Sequence, residues 1–301
     1  MTVAVEQVLI LFAFIIAGYI LAKTGIAKVE HTKTFSALIV YFFLPCTYLN
    51  SFSQNCTPAY LQEKYPLILI SLAILLGLCL LARPFSKKFS KEKYEQTIFE
   101  YSLIIPNFGY IGYALCQGIF GDLALLNMMV FALPLSVYIS VIGFNMLTKQ
   151  TGEKFSWKLV FTPSMIGILL GCAVGISGVR LPSVVTEVTS KAAACTAPSS
   201  MLLTGIALSE FDLKVLLTDK RSYILSALRL LGIPMLLFAV LKLLGLDSAI
   251  LPAVMIYAMP CGMNTIIYPK LIGEDCRIGA SLTLISTVLA LLTIPLCVAI
   301  L

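Results

Sequence analysis

Residues 98–120 read IFEYSLIIPNFGYIGYALCQGIF, an apolar run long enough to cross a bilayer, with proline and glycine near its middle. Proline removes a backbone donor and clashes with the preceding turn, and glycine lowers the preference for helix further. The run therefore predicts a membrane helix that unwinds over 106–112. Residues 252–272, PAVMIYAMPCGMNTIIYPKLI, have the same arrangement and predict a break over 260–264. Unwound backbone at membrane depth persists only where protein or water satisfies it, so each break is a candidate cavity lining.

The composition places the whole chain in a membrane. Of its 301 residues 59% are hydrophobic and only 12% are charged, far outside the range of a soluble domain. Ten spans leave no room for a separate soluble domain, so a receptor or a membrane-anchored enzyme domain is excluded. The predicted spans are 4–22, 34–53, 66–82, 97–120, 123–147, 158–178, 182–208, 222–245, 249–272 and 278–300.

The two halves of the chain repeat each other at an offset of 153 residues. At this offset three glycine pairs coincide, where chance would give about 0.6, and one proline pair coincides as well. Each half has an odd number of spans, so the second copy enters the membrane inverted, as in secondary transporters. We therefore predict an all-α polytopic membrane protein in two inverted five-helix repeats, 1–147 and 158–301, joined by a cytoplasmic linker at 148–157. The coinciding pairs are Gly18 with Gly171, Gly25 with Gly178, Pro45 with Pro198, and Gly109 with Gly262.

The distribution of cationic residues predicts the orientation. With the N-terminus outside, 16 of the 21 Lys and Arg residues fall in cytoplasmic loops and only three in outer loops. Both termini are therefore predicted to face out of the cell membrane. The net charge of +6 is explained by this topology, and we predict no nucleic-acid partner. With no C-x-x-C among nine cysteines and a single histidine, neither a metal nor another cofactor is predicted.

The inverted symmetry gives the two breaks a chemical meaning. The second halves of spans four and nine begin near the midplane and direct their N-termini at a shared centre. Each N-terminus carries about half a positive charge and free N–H groups, so two of them favour an anion such as a carboxylate. The alternative for each asparagine in the breaks is a structural helix-to-helix hydrogen bond. The predicted substrate contacts here are Asn107, Gly109, Gly262, Asn264 and Thr265, beside the helix-breaking Pro106 and Pro260.

Further polar residues lie inside predicted spans. Thr47 and Asn50 follow Pro45, and the repeat-related Pro198 predicts a corresponding break, so these positions are candidates to face the site. On span seven, Glu187 and Lys191 belong to a polar face. That face either lines the outer part of the substrate path or holds a simple ion pair near the outer surface, and we favour the ion pair.

Two charged residues sit deeper in the predicted spans. Glu100 lies about one turn into span four and Arg229 about two turns into span eight. Charges within a membrane are candidates for function by default, but a snorkelling pair at the cytoplasmic end explains both equally well.

The breaks also carry a family resemblance. PNFGYIGYAL at 106–115, FGD at 120–122 and PCGMN at 260–264 resemble the auxin efflux carrier family across essentially the whole chain. The resemblance implies the fold of bile-acid sodium symporters, with spans one, two, six and seven as a static scaffold. Spans three to five and eight to ten would form a moving transport domain. It also implies organic anion substrates, with Asn107 and Asn264 matching the asparagines of the crossing.

One departure limits what the resemblance implies. Plant members have a long cytoplasmic loop between the halves, and here the linker is only 148–157, so neither loop phosphoregulation nor auxin itself is implied. Short members are associated with small carboxylates such as malonate.

Several functions remain open from the sequence. A secondary carrier of small organic anions leads, with carboxylates such as a dicarboxylate or an auxin-like acid moved by elevator-type alternating access. A sodium- or proton-coupled symporter of the same architecture is the alternative. An anion channel fits less well, because polarity is concentrated at two central breaks, and an enzyme has no supporting motif. The crossing lacks Asp and Glu, so we expect electrogenic, sodium-independent transport. The expected partners are the anion, the lipid bilayer and a second copy docked through the scaffold helices.

Overall fold

The computed structural model describes residues 2–149 and 161–301, and these ranges are mostly helical. Most of the predicted linker, 150–157, and the start of the predicted sixth span, 158–160, lie outside the described residues. The helices are α1 (Thr2–Lys23), α2 (Thr32–Asn55), α3 (Pro58–Phe89), α4 (Lys93–Ile104), α5 (Tyr113–Phe120), α6 (Asp122–Phe131), α7 (Leu133–Leu147), α8 (Pro163–Ser177), α9 (Ser183–Leu208), α10 (Lys220–Leu243), α11 (Asp247–Tyr257), α12 (Asn264–Leu271) and α13 (Arg277–Ala299).

The helices fall where the spans were predicted, although not all of them are single rods. By length and composition, five described helices can cross a membrane: α1, α2, α3, α10 and α13. The pair α6 and α7 makes a sixth, bent by 48°. The sequence predicts one span there, and Pro134 in the first turn of α7 accounts for the bend. A polytopic helical membrane protein is thus supported, and the count of ten inverted spans remains a prediction.

Helices α1, α2, α8 and α9 form a group packed through glycine. On α8, Gly167, Gly171 and Gly175 recur every four residues and face α2 so closely that an added Cβ would lie 2.5–2.7 Å from it. On the other pair, a Cβ at Gly205 of α9 would lie 2.0 Å from the carbonyl oxygen of Ile15 on α1. Small residues let membrane helices approach until their backbones are in contact. This increases the van der Waals attraction between the helices, which matters because no hydrophobic effect drives helix association within lipid.

Two of these glycine contacts are related by the same offset as the sequence repeat. Gly18 packs against the backbone of Leu202, and Gly171 packs against the backbone of Leu49. Adding 153 to 18 gives 171, and adding 153 to 49 gives 202. A twofold relation between the halves would produce this pair of contacts, which supports the predicted duplication.

Neither Pro45 nor Pro198 breaks its helix. Helix α9 continues through Pro198 as one element, so the break predicted there is not observed. Helix α2 continues through Pro45, preceded by a wider π-helical turn over Ile39–Phe43. Each proline removes one backbone hydrogen bond, to the carbonyl of Ala194 for Pro198 and of Tyr41 for Pro45, and both helices continue despite this loss.

Candidate functional site

The two predicted breaks meet each other through their backbones. Helix α4 ends at Ile104 and α11 ends at Tyr257, and the chain resumes as helix at Phe108 and Asn264. Between these ends Pro106 and Cys261 form an antiparallel bridge, in which the Asn107 N–H donates to the Pro260 carbonyl at 2.8 Å. Each break thereby helps to satisfy the other at a depth where water is scarce.

A cavity of about 180 Å³ lies at this crossing. The cavity is lined by residues 108–110, at the start of the helix after the first break, and by residues 262–264, which lead into α12. The first N–H groups of a helix have no partner within that helix. At the start of α12, those of Thr265 and Ile266 donate to the carbonyls of Gly262 and Met263 just before it. No charged side chain is among the described lining residues, which are Val40, Leu44, Tyr48, Pro106, Asn107, Phe108, Gly109, Tyr110, Ser136, Ile139, Ser140, Thr162, Ser164, Gly262, Met263, Asn264 and Tyr268.

The structure brings both predicted asparagines to this cavity. Asn107 is 4% exposed and precedes the π-helical turn Phe108–Gly112, and its side chain makes no capping bond to that turn. Asn264 is half-buried, and its amide nitrogen donates to the Tyr101 hydroxyl at 2.7 Å. The Asn264 amide is therefore held by a second residue at the wall of the cavity.

The glycines and the threonine of the breaks divide into two kinds. A Cβ added at Gly109 would meet nothing within 4 Å, and one at Gly262 would only touch the backbone of the other break at 3.9–4.0 Å. Both glycines line the cavity. Thr265 is fully buried and donates to the Gly262 carbonyl at 2.9 Å, and it is absent from the cavity lining. Thr265 thus supports the break from behind.

A second cavity of about 270 Å³ lies on the other side of the same break, and Gly109 and Tyr110 line both cavities. Gln7, Thr47 and Thr196 belong to the second one. Between the two cavities the hydroxyls of Tyr48 and Tyr113 are hydrogen-bonded at 3.1 Å, with their rings edge to face. The structure therefore holds two cavities at the same break, and the hydrogen bond between Tyr48 and Tyr113 joins a lining residue of each.

Of the two polar residues predicted on α2 to face the site, one lines a cavity and the other does not. Thr47 is buried and shares a 2.9 Å hydrogen bond with Thr196 of α9, at the wall of the second cavity. The Asn50 side chain accepts a hydrogen bond from Gln54 on its own helix and is in neither lining.

On α9 the structure shows the predicted ion pair. Lys191 and Glu187 lie 3.6 Å apart, one turn from each other, and their side chains are 81% and 69% exposed. The second cavity is lined instead by Ala193, Ala194, Thr196 and Ala197 on a different face of this helix.

Glu100 and Arg229 do not form the pair that the sequence allowed. Glu100 is half-buried and faces the cationic Arg83 and Lys87 of α3. Arg229 is fully buried, and its guanidinium donates to the Leu103 carbonyl at 2.6 Å. The two residues thus lie in different places. Glu100 lies at the end of the helices that carries the basic residues, and Arg229 lies behind the crossing.

The site contains residues that the sequence analysis missed, above all tyrosines. Tyr101, Tyr110 and Tyr268 surround the asparagines, and Ser136 and Ser140 of α7 close one wall. Their signal was weak, because a tyrosine in an apolar span is normally read as packing. In the described ranges, no group of three His, Cys, Asp or Glu side chains is placed to hold a metal ion.

A helical membrane protein with a polar cavity between two broken helices has the architecture of a membrane transporter. Comparison with known proteins agrees, because the chain belongs to the Membrane transport protein family, which matches residues 3–155 and 147–298. This confirms the predicted resemblance to auxin efflux carriers and indicates a transporter rather than an enzyme.

Two archaeal proteins are similar over nearly the whole chain. An uncharacterised transporter of Methanocaldococcus jannaschii is 25% identical over 311 aligned residues, covering 98% of this chain and 97% of the relative. An uncharacterised transporter of Methanothermobacter thermautotrophicus is 22% identical over 300 residues, covering 97% and 96%.

Proposed function

We propose that this transporter is a secondary carrier of small organic anions and that the substrate binds at the crossing. The observation that carries the proposal is the cavity between the two breaks, lined by residues at or just before the start of both second half-helices, the two asparagines among them. Two helix N-termini place positive partial charges around one point, and the side-chain amides add donors that suit a carboxylate.

The dimensions of the cavity favour a small substrate. Sites for drug-sized ligands typically measure about 300–1,000 Å³, and this one is about 180 Å³. Tyrosine and serine hydroxyls add polar contacts around an otherwise apolar wall. Mono- and dicarboxylates of a few carbon atoms fit this description better than a large aromatic acid.

Alternating access follows from how the glycine-packed group meets the rest of the bundle. We assign α1, α2, α8 and α9 as the scaffold and the remaining helices as the moving domain. Beside apolar packing in a shared core, the contacts between them include polar pairs: Tyr48 with Tyr113, Thr204 with the sulfur of Met263, and an ion pair between Glu210 and Lys270. Such contacts can break and re-form as one domain slides, unlike interlocked apolar side chains.

The structure suits an inward-facing arrangement of this carrier. The crossing cavity extends to Thr162 and Ser164 at the start of α8 and to Ser140 on α7. These residues lie toward the helix ends that carry the basic loops, the predicted cytoplasmic side. The second cavity, toward the opposite ends, would then be the outer route closed by the Tyr48–Tyr113 pair.

The binding test uses the purified protein and a panel of carboxylates that includes malonate and benzoate, read by thermal shift with and without sodium. Asn107→Ala and Asn264→Ala each remove a hydrogen bond to a charged group, which is expected to weaken binding by roughly ten- to a hundredfold. Both variants should remain monodisperse, because polar contacts between membrane helices average only about 0.6 kcal/mol.

Asn145→Ala is the matched control. The Asn145 amide bonds the Val141 carbonyl on its own helix and lies outside both cavity linings, so its loss should leave binding unchanged. Wild-type affinity in both crossing variants would contradict the proposal. A strict sodium requirement for currents in proteoliposomes would favour the symporter alternative, and a proton requirement would point to Glu100 or Glu187.

We also propose that both termini face outward across the cell membrane. In a cysteine-free background, a membrane-impermeant reagent should label a cysteine at the C-terminus of intact cells and leave Ser90→Cys unlabelled. The reverse pattern would overturn the proposed orientation. The crossing cavity would then lie toward the outside and the second cavity toward the cytoplasm.

A further inference from the structure

Arg229 is a buried charge without a counter-ion. It lies on α10 with no exposed surface, and no carboxylate among the described residues lies within 4 Å of its guanidinium. Of its three guanidinium nitrogens, Nε and Nη2 have no hydrogen-bond partner in the part of the chain that is described. A buried, unpaired charge is costly, so its persistence calls for a compensating interaction.

The compensation comes from the ends of both broken helices. Nη1 donates to the carbonyl of Leu103 in the last turn of α4, at 2.6 Å. The guanidinium carbon lies 5.7 Å from the ring centre of Tyr257, the last residue of α11. Arg229 therefore touches the last turn of each first half-helix, on the side of the crossing away from the cavity.

The charges around the crossing are arranged in two layers. A helix C-terminus carries about half a negative charge, and two C-termini that converge behind the crossing amount to about one. The cation of Arg229 sits at these ends. In front of the crossing, the two N-termini offer the complementary positive ends to an anion. The half charges of the two C-termini offset much of the Arg229 cation, and the cation in turn keeps these negative ends from opposing an anion held in front of the crossing.

We infer that Arg229 is a built-in cation that does for this carrier what a bound monovalent cation would do at the two helix C-termini. It holds the ends of α4 and α11 together behind the crossing and so positions the anion site in front. The inference rests on the proposed function for its effect on anions, and on the contacts of Arg229 alone for the cation site. It also gives sodium-independent transport a physical reason, since the position behind the crossing already holds a charge.

The experiment removes the cation and returns one from solution. Arg229→Ala opens space for a guanidinium, Arg229→Lys keeps the charge, and Arg221→Ala is the control, because Arg221 lies on the same helix in half-exposed ion pairs with Glu95 and Asp219. Each protein is measured by thermal unfolding and by malonate binding, in choline chloride, in sodium chloride and with millimolar methylguanidinium.

We expect Arg229→Ala to lower the Tm and to weaken malonate binding by roughly tenfold or more, and Arg229→Lys to weaken it less. Methylguanidinium or sodium, but not choline, should restore both quantities in Arg229→Ala and change neither the wild type nor Arg221→Ala. Unchanged binding in Arg229→Ala, or a loss that neither small cation reverses, would overturn the inference.

The two proposals fail separately. If the wild type binds neither malonate nor benzoate, the proposed function fails for these probes. The cation site is still tested by whether methylguanidinium or sodium raises the Tm of Arg229→Ala above its value in choline, and the absence of such a rise overturns it.

Discussion

Glycine serves opposite purposes in two regions of this molecule. Between α1 and α9 a Cβ at Gly205 would fall 2.0 Å from the Ile15 carbonyl oxygen, so the residue exists to let two backbones touch. At the crossing a Cβ at Gly109 would meet nothing within 4 Å, and the missing side chain leaves open space between two cavities. Glycine in the first region allows close helix contact, and glycine in the second leaves cavity space open. Stability and binding should therefore respond separately to the same substitution.

The largest effect is expected where the backbones touch. Gly205→Ala forces α1 and α9 apart and should cost about 1–3 kcal/mol or more, enough to lower the Tm strongly or to prevent assembly. Thermal unfolding and size-exclusion chromatography of the purified variant measure both outcomes. Gly77→Ala on α3 is the control, because nothing lies within 4 Å of an added Cβ there, and it should be neutral or slightly stabilising. A folded Gly205→Ala protein with the wild-type Tm would remove the contrast between the regions.

The crossing should respond to the same change in the opposite sense. Gly109→Ala adds a methyl group to open space, so the Tm should stay the same or rise. The added volume narrows a cavity of about 180 Å³, and carboxylate affinity should fall by roughly tenfold. Thermal shift in the presence of malonate, compared with the shift without it, separates the two quantities. Undiminished affinity would show that the ligand does not occupy the space beside Gly109.

A smaller effect is expected at Tyr101, which supports Asn264 and is not itself a predicted ligand contact. Tyr101→Phe removes the hydroxyl that accepts from Asn264, at an average cost of about 0.6 kcal/mol for a polar contact between membrane helices. The freed amide should bind the anion a few-fold more weakly. Tyr94→Phe provides the comparison, since its hydroxyl bonds the Leu147 carbonyl away from the cavity. Equal affinities in the two variants would mean that Asn264 needs no support.

The smallest effect is expected on the outer face of α9. Glu187→Gln breaks an ion pair whose partners are mostly exposed, so the change in stability should stay within about 0.5 kcal/mol and binding should not change. The same thermal-shift assay checks both. A tenfold loss of carboxylate affinity would instead place the Glu187 face of α9 on the substrate path. It would also weaken the proposal that the second cavity is the outer route.

Proline and glycine made the breaks at 106 and 260 predictable, because proline removes a backbone hydrogen bond and glycine lowers the preference for helix. The same reasoning failed at Pro198, where proline removes one backbone hydrogen bond but no glycine lies beside it, and α9 continues as one helix. Periodicity also missed the bend before Pro134, where a proline in the first turn of a helix looks ordinary until the preceding helix is seen to end.

The candidate site was predictable only as far as residues within the breaks. Asn107, Asn264 and both glycines were found, because their position in the chain puts them at the crossing. Tyr101 comes from a helix whose rotation about its axis the sequence cannot specify, so its hydrogen bond with Asn264 depends on tertiary packing. Arg229 was recognised as a buried charge, but its partner is a backbone carbonyl, which no pattern of side chains reveals.

The bridge between Pro106 and Cys261 has a consequence for synthesis of the protein. Its two strands of backbone lie 155 residues apart in the chain, so the first emerges from the ribosome well before the second exists. At about 5–20 residues per second, the interval is roughly ten to thirty seconds. During that time the Asn107 N–H must find water, a chaperone or the insertion machinery, and a truncated chain would never satisfy it. Translation stalled between the two halves should therefore yield a fragment that quality-control proteases remove.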